Sequence, residues 1–214
     1  MGLGRAVVTL LCVILVFDVV AVAVVFNLGQ ALDTSQGLSG YSVERIERIE
    51  RWVNVVDGLT RLVYLATIVV FIVWFYRVRG NAQVFAPDLL TRGRGWAVGG
   101  WFIPIGNLFI PFGIAAEVWR ASRKDPYIGA EPPFNPVNLW WTALLASWFF
   151  TKLANFRIDT AETLPEVSAA FDLLIVACSV EIAAAVLAAL FVHKLTQMQH
   201  TKALRGPEPA VVVA

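Results

Sequence analysis

The 214 residues predict an all-α membrane protein: four transmembrane helices plus one broken helical segment, re-entrant or lying in the membrane plane. Three observations carry that prediction. Apolar residues make up 58% of the chain against 15% charged, with a mean hydropathy of +0.68; a soluble domain of this length carries about a quarter charged residues. The apolar residues gather in runs of about twenty, the length that crosses ~30 Å of hydrocarbon. One apolar stretch, residues 96–118, is interrupted by Pro104, Asn107, Pro111 and four glycines. An interior proline removes a backbone donor and crowds the carbonyl a turn earlier. In hydrocarbon a freed carbonyl needs a protein partner, so this segment reads as packed against other helices.

The first run, residues 6–26, follows Arg5 and contains Asp18. It exceeds the 7–15 residues of a signal-peptide core and reads as a retained anchor. A polar, turn-rich connection over 30–40 leads to residues 42–57, where Val43, Ile46, Ile49, Trp52, Val53 and Val56 recur at three- and four-residue steps. That spacing is one helical face. Glu44 with Arg48 and Glu47 with Arg51 are favourable i,i+4 pairs, and Ser42 suits the N-cap. The stretch reads as an amphipathic helix on the membrane surface that runs into the next span; a partner-docking helix is the sharper alternative.

The second span, 59–76, ends in Trp74-Phe-Tyr-Arg77-Val-Arg79, an aromatic belt followed by arginines at a cytoplasmic interface. Trp74, Arg77 and Asn81 share a helical face. After the broken segment comes a polar, proline-punctuated loop through Arg123, Lys124, Glu131 and Pro136, then spans at 137–154 and 167–192. From His193 the tail is expected to start helical and to be disordered over 207–214.

Lys and Arg positions orient the spans. If the broken segment returns to the side it entered, both termini lie in the cytoplasm and the seventeen basic residues divide eleven inside to six outside. If it crosses, an N-terminus-inside arrangement gives seven inside to ten outside. A five-span chain with the N-terminus outside recovers ten to seven, but strands Arg77, Arg79, Arg92 and Arg94 on the wrong face. The count favours re-entry and leaves a kinked fifth span as the alternative.

Trp74-x-x-Arg77-x-x-x-Asn81 precedes Trp96-Ala-Val-Gly-Gly-Trp101-Phe-Ile-Pro104-Ile-x-Asn107-Leu-x-x-Pro111. Glu117-x-Trp119-Arg120-Ala-Ser122 and Trp140-Trp141 follow. Together they resemble an uncharacterised bacterial membrane family, domain of unknown function 4328. The resemblance covers most of the chain after Leu59 and leaves out the glutamate-arginine helix. It implies a small multi-span bacterial protein and brings no activity and no functional residue with it.

No His-Glu-x-x-His, Gly-x-Ser-x-Gly or Cys-x-x-Cys occurs, which argues against the commonest catalytic and metal motifs. Arg92-Gly-Arg-Gly lacks the Lys-Ser/Thr ending of a phosphate loop and reads as a turn. Cys12 and Cys178 fall inside apolar runs and read as small buried hydrophobes. His193 and His200 lie two turns apart on a solvated face. No basic-aromatic patch suggests nucleic acid. The chain is therefore expected to be no enzyme and to hold no metal or cofactor.

The strongest candidates are acids inside spans, where an unpaired charge costs several kcal/mol. Glu181 sits mid-span, bordered at helical spacing by Ala177, Cys178, Ala184, Ala185 and Ala188, a small-residue face that admits a close neighbour. Asp18 lies roughly 12 Å below the outer end of the first span; Asp172 is nearer the surface, where Arg61 is a candidate partner. Each acid reads either as a neutral group hydrogen-bonded to a neighbouring helix or as a proton or cation site. Ser147, Thr151 and Asn155 form a polar stripe that either joins helices or leads toward Glu181. Arg77 or Asn81 is expected to contact the broken segment, with Glu117 as ionic partner. These features define two functional readings. One is a non-enzymatic scaffold or interaction subunit, contacting the lipid bilayer and a protein partner or second copy of the chain. The other is a small transporter or channel-like protein that uses Asp18 and Glu181.

Overall fold

The computed structural model describes residues 2–33, 43–129 and 135–206, apart from the side chains of 25, 27–33, 43–50, 52–54 and 57. The proposed N-cap Ser42, the apolar face over 43–53 and the tail 207–214 fall outside what is described. Among the described residues the helices are α1 (Gly2–Asp33), α2 (Val43–Phe85), α3 (Trp96–Gly99), α4 (Ile110–Ser122), α5 (Pro136–Thr160) and α6 (Leu164–Arg205), with short turns at Pro87–Leu89 and Gly106–Leu108 and no strand.

Local chemistry sets the helix ends. The amphipathic stretch and the second span form one 43-residue helix, α2, which stops just before Pro87 because a proline disfavours helical backbone in the residue it follows. Asn135 Oδ1 accepts the N–H of Asn138 at 2.9 Å, and Pro136 occupies the first position of α5, where its missing N–H costs nothing. At the start of α6, Glu166 Oε2 accepts the N–H groups of Glu162 and Thr163 at 2.8 and 3.1 Å, satisfying donors that a helix leaves open. Gly206, at φ +71°, closes α6 in the left-handed conformation that glycine adopts most easily.

Among the described residues three helices are long and apolar enough to cross a membrane: α1 over Gly2–Val24, α2 over Gly58–Phe85, and α6. The other expected span, 137–154, lies in α5. Its 25 residues suffice in length, but Asn138, Thr142, Ser147, Thr151 and Lys152 dilute its apolar character.

The chain divides into two compact units. The first comprises Met1–Val8, Val69–Asn138 and Leu190–Ala214. It gathers the first turns of α1, the end of α2, the whole broken segment, the first turn of α5 and the end of α6. Its core is aromatic: Trp74 meets Phe191 edge-on at 5.8 Å, and Trp101 meets Phe71 and Phe75 at 5.8 and 6.2 Å. Val118, Trp119 and Leu195 are buried beside them. A Cβ on Gly4 would stand 2.6 Å from Thr196 Oγ1, so only glycine lets α1 approach α6 this closely.

The broken segment differs from a kinked helix in one respect that matters. Neither proline interrupts a helix. Pro111 is in the first turn of α4, where proline is tolerated, and Pro104 lies in a turn. The Gly106 N–H donates to the Pro104 carbonyl at 2.7 Å across Ile105, whose φ is 64° and ψ −44°. This is a γ-turn of the rare, strained kind. Neither ring therefore sits in a helix interior, contrary to the expectation from sequence. The 13 residues of α4 reach about 20 Å.

The second unit comprises Thr9–Ile68 and Leu139–Ala189. Many of its buried positions are small, namely Ala154, Ala170, Ala177, Ala184, Ala185 and Ala188, beside Leu11, Ile14, Trp140 and Trp141. Val16, Val20, Leu62, Leu65, Phe149 and Phe156 are exposed. Small residues inward and large apolar ones outward is the pattern for helices packed in lipid.

Candidate functional site

Three helices of the second unit bring polar groups to one point. On α1, Asp18 falls on the buried stripe with Leu11 and Ile14 and is 7% exposed. On α6, Glu181 sits among the buried alanines 177, 184, 185 and 188, as its small-residue face predicts. Between them stands Tyr64 of α2. Its hydroxyl lies 2.7 Å from Glu181 Oε1 and 3.2 Å from Asp18 Oδ1.

The proton count of this trio is informative. A phenol has one proton to donate. If Tyr64 donates to Glu181 at the shorter contact, the Asp18 contact is a hydrogen bond only when Asp18 carries a carboxylic proton and donates it back. With both acids ionised, one contact sets oxygen against oxygen with no proton between. Asp18 Oδ2 is buried and has no hydrogen-bond partner among the described residues, and neither acid forms a salt bridge among them. Two ionised carboxylates this close, without a cation, are expensive in a low-dielectric setting.

Asp172, the third candidate acid, is exposed. Of the polar stripe on α5, Ser147 is buried but donates to the Leu144 carbonyl of its own helix at 2.9 Å, and Asn155 is exposed. The stripe is not assembled into a path.

In the first unit the expected contact of Arg77 or Asn81 with Glu117 is replaced by others. Glu117 accepts from the Thr91 hydroxyl and, at 3.3 Å, from the Thr91 N–H, and Arg92 lies 3.7 Å away. The arginine that ties α2 to the broken segment is Arg79, 1% exposed, which donates to the Arg92 carbonyl and, at 2.9 Å, to Gln83. The reason is helical register. Arg79 continues the buried stripe of Phe75, Ala82 and Ala86, whereas Arg77 is exposed. Asn81 donates instead to Gln199 Oε1 at 2.9 Å. Gln199 in turn donates to the Val78 carbonyl at 2.9 Å and Ser122 Oγ at 3.0 Å. Trp74 Nε1 donates to Thr196 at 3.1 Å, Trp96 is exposed, Asn107 is half-buried and Pro111 is buried.

Tyr64, Arg79 and Gln199 are not singled out by the sequence. A signal exists for the first: Thr60, Tyr64 and Thr67 form a polar line at helical spacing inside an aliphatic run.

Long apolar helices that enclose an acid cluster define a helical protein suited to a membrane. The chain belongs to the family described as Domain of unknown function (DUF4328), whose model matches residues 39–197. That match starts before the glutamate-arginine helix and includes it, so the resemblance drawn from Leu59 onward was too narrow. No curated protein and no solved structure matches the chain.

Proposed function

We propose that this is a multi-pass membrane protein that takes up and releases a proton at Asp18, Tyr64 and Glu181, as a small proton-linked transporter does. The observation that carries the reading is the single tyrosine hydroxyl within hydrogen-bond reach of two carboxyl groups. A proton fits these groups better than a metal cation. Among the described residues no three His, Cys, Asp or Glu side chains cluster as metal ligands, and a hard cation needs six or more oxygens.

The membrane arrangement belongs to the same proposal: four spans, residues 96–118 re-entering on the cytoplasmic side, and both termini there. Two features support it. At 13 residues α4 is too short to cross ~30 Å of hydrocarbon. The first unit also contains the start of α1, the end of α2, the start of α5 and the end of α6 together, as an even number of crossings requires.

Infrared difference spectroscopy of the full chain in lipid, between acid and alkaline pH, tests the proton site. The expected result is a titrating carboxylic-acid C=O band that D18N and E181Q each remove or shift, and that Y64F moves to a different pH midpoint. A difference spectrum identical in all four proteins overturns the proposal and returns the scaffold reading, with a dry, inert bundle, to first place.

A further inference from the structure

The first unit contains a cavity of about 890 Å³ that the proton site does not use. The first turn of α1, the end of α2, the end of α6 and Arg94, just before the broken segment, line it, and no Asp or Glu is among its lining residues. Two arginines face it. Arg77 is exposed and has no acidic partner among the described residues. Arg94 is held in place from behind: its guanidinium stacks over the Tyr76 ring at 4.1 Å and its Nε donates to the Tyr76 carbonyl at 3.4 Å. Its terminal nitrogens have no acceptor among the described residues. The close fit depends on Gly80, where a Cβ would stand 2.6 Å from that guanidinium.

The other polar walls sharpen the chemistry. Asn81 and Gln199 are bonded to each other, so they shape the cavity rather than compete for a ligand. His200 adds another nitrogen. Gly2, Leu3 and Gly4 of α1 close the wall opposite with little side-chain bulk at the two glycines. Val84 and Phe85 supply an apolar wall.

We propose that this cavity binds a phosphate-bearing anion clamped between Arg77 and Arg94. The planar guanidinium fork matches two phosphate oxygens at once, and a basic pocket among membrane helices on the cytoplasmic side is where an anionic headgroup is met. The apolar wall suits the glycerol and first methylenes of a lipid; the same clamp takes a soluble phosphate. The inference is independent of the proton site, since no residue is shared.

The test uses the full chain in nanodiscs of phosphatidylcholine doped with phosphatidylglycerol, read by native mass spectrometry. Phosphatidylglycerol should be retained well above its share of the lipid, and R77Q and R94Q should each lower that retention about tenfold. K124Q, on an exposed loop outside the cavity, should leave it unchanged. Arg77 makes no side-chain bond among the described residues, so R77Q should fold normally by circular dichroism and its result stands even if R94Q does not fold. Inorganic phosphate titrated against the detergent-purified protein separates the sources. Saturable binding lost in the same variants assigns a soluble phosphate; retention of the lipid with no phosphate binding assigns a headgroup. Equal phosphatidylglycerol retention in the parent and R77Q together with no phosphate binding that R77Q removes, or equal loss in K124Q, overturns the proposal.

Discussion

The two units solve the problem of buried polar groups in opposite ways. In the first, Gln199 uses both ends of its amide: it accepts from Asn81 and donates to Val78 and Ser122. Lys202 Nζ donates to the Ala121 and Arg123 carbonyls at 3.0 and 2.8 Å, closing the C-terminus of α4. Each of these bonds has a defined donor and acceptor, although Arg79 Nε in the same unit is buried without a hydrogen-bond partner among the described residues. In the second unit one hydroxyl, that of Tyr64, meets an oxygen of Asp18 and an oxygen of Glu181, and Asp18 Oδ2 has no partner among the described residues. A closed network fixes structure; an open one has something to exchange.

The comparison makes its largest prediction at Arg79. Arg79→Met keeps the bulk of the side chain but leaves the Arg92 carbonyl and Gln83 without their charged donor. About 3 kcal/mol of stability should be lost, read as thermal unfolding in detergent. The same change at exposed Arg77 should be near neutral. If Arg77→Met costs as much as Arg79→Met, the end of α2 turns a different face to the broken segment.

Gln199→Leu is the next largest. It removes the amide that donates to the Val78 carbonyl and Ser122 Oγ and accepts from Asn81, three bonds in all, while adding no clash, for an expected loss of about 2 kcal/mol. Tyr64→Phe in the second unit removes one hydroxyl from a cluster that is already short of partners. Its expected cost is below about 1 kcal/mol, because Asp18 and Glu181 can rearrange their own protons. The contrast is the test: Gln199→Leu should lower the unfolding temperature and leave the infrared carboxyl band alone, and Tyr64→Phe should do the reverse.

How much of the molecule is legible in its sequence follows the same division. The apolar runs, the proline-rich break and the small-residue face around Glu181 are periodic features within one helix, and periodicity is what a sequence displays. Tyr64 meets partners 46 and 117 residues away, a distance that no local pattern encodes. A tyrosine inside a span also looks like packing until its neighbours are known. Arg77 and Arg79 are two residues apart and so point about 200° away from each other. Choosing between them requires knowing which sides of α2 are covered. The face shared with Trp74 and Asn81 suggests Arg77 as the inward one, but the stripe that meets the broken segment is Phe75, Arg79, Ala82 and Ala86. Pro104 and Pro111 look like breaks in a helix, whereas they bound a turn and a short helix, a difference of one or two residues in register.

A gain in stability rather than a loss is expected at Ile105, which neither network touches. Its φ of 64° is a conformation that a β-branched residue adopts only under strain, and its side chain is 76% exposed, so packing within the protein does not hold it there. Ile105→Gly should relieve about 1–2 kcal/mol of strain. The extra freedom of glycine in the unfolded chain returns about 0.4–1 kcal/mol of that. A net gain of about 1 kcal/mol is therefore expected in detergent. Phe102 and Phe109 flank the turn and are 72% and 68% exposed, so the turn carries three large apolar side chains that the described residues leave uncovered. If the gain seen in detergent disappears in nanodiscs, burial of Ile105 in the bilayer offsets the strain and the tip is a membrane-inserted element. If it persists unchanged, lipid contact at Ile105 contributes nothing, and the γ-turn is held by Pro104 and Gly106 alone.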